Sequence, residues 1–194
     1  MTMVSQRELI KRMSDRELTK QLMLSQLFLF ILSLVLSFIL FNNMAQWFQY
    51  FRLDGYEILV YGVIPGLIIV TVDVILMAVL PEHYYDDGGI NDKIFKNRSV
   101  SSIFIVVLVI AIAEELLFRG VLQTTFGYVT ASTIFALVHI RYLKKPVLLL
   151  SVLFVSFYLG FLFERTGNLL TTMTAHFIVD FLSGLIIRLS KKRC

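Results

Sequence analysis

Glu114, Glu115 and Arg119 stand together in the stretch AEELLFRG, directly after SSIFIVVLVIAI, a run without a single charge. His139 lies in FALVHI with Phe135 four residues before it, and His176 lies in TAHFIVD with Asp180 four residues after it. Carboxylates and imidazoles move protons near neutral pH. Such a set can activate a water and stabilise the anion that its attack creates. No Ser sits in a Gly-x-Ser-x-Gly turn, and the single Cys, Cys194, is the last residue, so neither a serine nor a cysteine nucleophile is indicated.

Helical phase divides the three charges of AEELLFRG. Residues four apart, such as Glu115 and Arg119, lie about 40° from each other around the axis, a spacing that suits an ion pair. Glu114 is rotated by about 100° from Glu115. Glu115 and Arg119 are therefore expected to be a structural pair that makes a buried charge tolerable. Glu114 is expected to find its partners on other helices, and the candidates are His139 and His176. His83, in PEHYYDDGG, is expected to be a solvated loop residue. Asp73, beside Thr71, is expected to be structural, with a place in a cavity wall as the alternative.

These residues need elements to hold them, and the composition says what kind. Of 194 residues 57% are hydrophobic and only 16% charged, with a mean hydropathy of +0.78. That is a membrane-embedded composition, and the fold class it predicts is an all-α, polytopic transmembrane helix bundle of about six spans. The spans are Leu22 to Phe41, Ile58 to Leu80, Ser101 to about Thr124, Tyr128 to about Tyr142, Pro146 to Phe163 and Leu169 to about Leu189. The first is expected to be a retained anchor and not a cleaved leader. A basic segment over residues 1–21 precedes a single transmembrane domain over 22–194, with the chemical residues in a core of about 101–189.

Charge sets the orientation. The net charge is +4, and fifteen of the eighteen Lys and Arg residues fall before span one, after spans two and four, and after span six. Arg52 and Arg165 lie on the opposite side, and Arg119 lies within a span. Both termini are therefore expected in the cytoplasm, and the basic excess implies no nucleic-acid partner. At about 1.5 Å per residue, Glu114 sits roughly 20 Å from the inner end of its span. A turn at Gly127 would bring His139 to roughly 21 Å, and His176 falls at roughly 20 Å, so the three groups share a depth. Ionisable residues at that depth are functional candidates. The fourth span stops short of the inner surface, which would leave a funnel by which water enters.

Together the motifs resemble the CAAX protease and bacteriocin-processing (CPBP, or Abi) family. EELLFRG is similar to its Glu-Glu-x-x-x-Arg motif, FALVHI to its Phe-x-x-x-His motif, and TAHFIVD to its third motif, a His followed four residues later by Asn or a similar polar residue. GFLFERTGNLL resembles the approach to that third motif, and the resemblance spans roughly residues 103–180. It implies a bacterial, multi-pass plasma-membrane endopeptidase acting on membrane-associated peptides or proteins, with bacteriocin processing or self-immunity as possible settings. Membrane lipids and a peptide or membrane-protein substrate are the implied partners. The resemblance implies Glu114 as the base that activates water, His139 as the group that orients it, and His176 with Asp180 at the oxyanion. Glu115, Arg119 and Phe135 are the supporting residues. Many members carry Asn where this chain has Asp180; an ionised carboxylate cannot donate to an oxyanion, so Asp180 either acts protonated or orients His176.

Two forms of the site can be written. One is metal-free. The other has Zn2+ on Glu114, His139 and His176 with an open fourth position. The sequence has no His-Glu-x-x-His helix, which leans the reading toward the metal-free form and leaves zinc as the rival. Two other classes of function compete: a non-catalytic membrane adaptor that binds a membrane-protein partner, and a small transporter. The intact Glu114, His139 and His176 speak against the first, and the lack of internal repeats speaks against the second.

Overall fold

The computed structural model describes residues 13–139, 142 and 145–190. Among them every regular element is helical. The chain runs through α1 (Asp15–Leu40), a short α2 (Gln46–Gln49), α3 (Gly55–Val79), α4 (Ile90–Phe95), α5 (Val100–Phe126), α6 (Tyr128–Val138), α7 (Pro146–Thr166) and α8 (Leu169–Leu189). Helices α1, α3, α5, α7 and α8 are long and apolar enough to cross a membrane. The protein is thus the multi-pass helical bundle that its composition predicts.

The structure departs from the sequence reading in three places that bear on the site. Helix α1 begins at Asp15, seven residues before the expected Leu22, because Ser14 and Glu17 form a capping box: Glu17 N donates to Ser14 Oγ, and Ser14 N donates to Glu17 Oε2 at 2.8 Å. The basic segment expected over 1–21 is therefore helical from Asp15, and residues 1–12 lie outside the described residues. Helix α6 ends at Val138 and not near Tyr142. Its 11 residues span about 16 Å, half of a membrane core. Helices α3 and α5 each contain a π-helical stretch, Ile58–Val63 and Leu116–Gln123. The first ends at Val63, two residues before Pro65, whose ring would clash with the carbonyl four residues back in a regular α-turn.

Helix α8 is the axis of the bundle and packs against α3, α5 and α7. Its contact with α3 is close because Gly62 and Gly66 face it: a Cβ on Gly66 would lie 2.9 Å from Ile178. Asn168 fixes where α8 begins. It is fully buried; its Nδ2 donates to Arg52 O at 2.8 Å and to Glu57 Oε2 at 3.1 Å, and its Oδ1 accepts from Leu170 N. Helix α6 lies between α5 and α7. Ser156 Oγ donates to Ser132 O at 2.8 Å, and a Cβ on Gly160 would sit 2.7 Å from Ser132 Oγ. Small residues thus seat α6, and with it the histidine at its end, against α7.

Candidate active site

Glu115 and Arg119 form the buried pair that their spacing predicts. Both are fully buried, with Arg119 Nε 3.5 Å from Glu115 Oε2. Arg119 also donates to Ser156 O on α7 at 3.1 Å, and its guanidinium lies 4.9 Å from the centre of the Phe135 ring. The pair therefore ties α5 to both α6 and α7.

Glu115 has a second contact that helical phase did not anticipate. His176 Nδ1 donates to Glu115 Oε1 at 3.0 Å, so one carboxylate holds Arg119 through one oxygen and His176 through the other. Its role is thus wider than a partner for Arg119. The π-helical stretch begins at the next residue, Leu116, so the regular α-helical phase that separates Glu114 from Glu115 does not continue through Arg119.

His176 has its other nitrogen toward the cavity. Nε2 lies 4.0 Å from Glu114 Oε2 and 3.5 Å from Asp180 Oδ2, and the residue is 5% exposed. His139 follows the last turn of α6 as its C-cap, with φ −78° and ψ 52°. There its Nδ1 meets Phe135 O at 2.8 Å. A carbonyl can only accept, so Nδ1 donates, and in the neutral ring Nε2 is left as the acceptor. The ring lies tilted by 34° against Phe135, 4.9 Å away, and stacks on Tyr142, 6.0 Å away. Phe135 also stands edge-on to His176 at 6.0 Å.

Glu114, His139, His176 and Asp180 line one cavity of about 430 Å³. It extends past Asn91 and Tyr142, toward the end of the bundle where Lys93, Lys96 and Arg98 lie. The sequence-derived site residues are thus brought together from α5, α6 and α8. His83 is exposed and apart, and Asp73 is half-buried on α3, outside that lining. Tyr142, and Gln26 on α1, are among the lining residues that the sequence reading did not single out. Among the described residues no three His, Cys, Asp or Glu side chains are arranged to hold a metal ion.

A family model described as type II CAAX prenyl endopeptidase Rce1-like matches residues 96–182, which take in Glu114, His139, His176 and Asp180. Over 170 residues the chain is 42% identical to uncharacterized protein YpbD of Bacillus subtilis (strain 168), an overlap of 88% of this chain and 90% of the relative. No solved structure matches the chain.

Proposed function

The chain belongs to the CAAX protease and bacteriocin-processing (CPBP) family of membrane proteases, and from that premise we propose that it is an intramembrane endopeptidase with Glu114 as its general base. The observation that carries this reading is the meeting of Glu114, His139 and His176, from three helices, on one cavity.

In this reading a water attacks the carbonyl carbon of the scissile peptide while Glu114 takes its proton. His139 Nε2, the free acceptor of its ring, accepts from the same water and orients it. His176, which acts in its doubly protonated form with Nδ1 donating to Glu115, donates from Nε2 to the oxyanion. The tetrahedral intermediate collapses as the C–N bond breaks, and the proton on Glu114 passes to the leaving amine, which restores the carboxylate. Asp180, 3.5 Å from His176 Nε2, orients that ring; ionised, it has no proton to give. No step runs through a metal.

The substrate class is a membrane-associated peptide or protein, with bacteriocin processing or self-immunity as the setting that the family suggests. The protein is assigned to the plasma membrane of a bacterium with both termini cytoplasmic. The distribution of its basic residues and the Bacillus relative support that assignment.

Purified protein incubated with a fluorescence-quenched peptide library tests the reading. Glu114→Gln and His139→Ala should each lower cleavage by at least about 10²-fold while thermal stability is kept. Activity should survive a chelator; loss on chelation and recovery with added zinc would replace the metal-free form with the zinc form. Cleavage at the wild-type rate by both variants would remove the protease reading in favour of a membrane adaptor.

A further inference from the structure

The buried positions of α1 are Leu18, Gln26, Ser33 and Ser37, spaced so that they share the helix face that packs on α5. The two serines satisfy themselves: Ser33 Oγ donates to Phe30 O at 2.7 Å and Ser37 Oγ to Leu34 O at 2.9 Å. Their small size lets α1 approach its neighbour closely. Gln26 differs from both. It is 5% exposed, it lines the cavity that holds Glu114, His139 and His176, and its Oε1 has no hydrogen-bond partner among the described residues.

An amide left unpaired inside a membrane bundle is destabilising, and a leucine could form the same stretch of wall without that penalty. The described residues offer its Oε1 no donor, so its partner is expected to be what enters the cavity. An amide carries one acceptor and two donors and no charge. That set is complementary to the N–H and C=O of a peptide backbone and does not favour acidic or basic side chains.

We propose that Gln26 is a substrate-binding residue whose amide pairs with the backbone of the peptide in the cavity and holds it in reach of Glu114. The proposal rests on the endopeptidase reading. It also extends the site beyond the core of 101–189, because α1, which carries none of the three motifs, supplies a wall and a polar contact.

The test uses the full chain in detergent micelles and a fluorescein-labelled, quenched peptide with an apolar C-terminal half. Gln26→Leu and Gln26→Met should raise KM about tenfold, the effect of one lost hydrogen bond, while kcat stays within about twofold and Tm is kept or raised. An unchanged KM in both variants overturns the proposal. So does a fall in Tm with proportionate loss of active protein at constant KM, since that is the signature of a structural residue. Binding of the same peptide to Glu114→Gln, read by fluorescence anisotropy with and without Gln26→Leu, separates this contact from the protease reading. Binding about tenfold weaker, with no cleavage by the wild type, keeps the Gln26 contact and removes the protease. Equal binding removes the Gln26 contact whether or not the wild type cleaves.

Discussion

Replacing Arg119 with methionine leaves Glu115, a fully buried carboxylate, without the guanidinium 3.5 Å from its Oε2. At that separation and an effective dielectric of about 20 the attraction is roughly 5 kcal/mol. Breaking a buried pair from one side typically costs ~3–5 kcal/mol, because the remaining charge stays desolvated. Ser156 O also loses one of its donors, worth about 1 kcal/mol, and keeps Ser132 Oγ. Arg119→Met should therefore destabilise the protein by ~4 kcal/mol. Glu115→Gln should do the same from the other side, leaving Arg119 charged and buried while keeping an acceptor for His176. The double variant carries neither charge. It gives up the Ser156 bond and the Phe135 contact, about 2 kcal/mol together, but no buried charge is stranded. It should be more stable than either single variant. Reversible unfolding in mixed micelles of dodecylmaltoside and SDS, followed by far-ultraviolet circular dichroism, measures all four proteins. If the two single losses simply add in the double variant, the pair is not coupled and the account of why this membrane helix tolerates two buried charges is wrong.

Asp180→Asn should keep cleavage within about tenfold of wild type, because an amide can still orient His176 and can also donate to the oxyanion, whereas Asp180→Leu should lose about 10²-fold in initial rate. With Cys194 replaced by serine, single cysteines at the exposed positions Asn43 and Asn97 should label from opposite sides of the membrane; labelling from one side would sink the assigned topology. Gly160→Val places a side chain 2.7 Å from Ser132 Oγ and 2.8 Å from the Tyr128 ring, so it should lower stability by ~1–3 kcal/mol and displace α6. Ser132→Gly should recover part of that loss, as read by Tm.

What the sequence made legible follows from the cost of polarity in a membrane. Glu114, Glu115, Arg119, His139 and His176 stand out because each is ionisable in an apolar run, and every such group needs a partner. The spacing of Glu115 and Arg119 was enough to anticipate their pairing, and Gly127, at φ 88°, was legible as the turn between α5 and α6. The early end of α6 was half legible: the short run before Lys144 and Lys145 implied it, but the helix stops at Val138, earlier than composition suggested. The contact of Glu115 with His176 was not legible. Phase on a regular α-helix ranks which side of α5 a residue occupies; it does not say which residues 61 positions away arrive at that side. The π-helical stretch at LLFRGVLQ contains no proline, and no residue type specifies a switch from i+4 to i+5 bonding.

Gln26 escaped notice for a different reason. In a soluble helix the large apolar residues mark the core, and polar residues mark solvent. Helix α1 reverses this. Phe28 and Phe38 are 62% and 78% exposed, while Gln26, Ser33 and Ser37 are buried. Lipid accepts the aromatic face as readily as a protein core does, so hydropathy along α1 reports only that it can span a membrane. The informative pattern is the stripe of polar and small residues, at steps of eight, seven and four from Leu18, because a polar group in a span is driven toward protein. Along that stripe a side chain able to bond its own backbone, as each serine does, indicates packing. One too long to do so, and facing a cavity, indicates a ligand. Only Gln26 on that stripe meets the second condition, which places the first helix within reach of the chemistry even though every motif lies beyond residue 100.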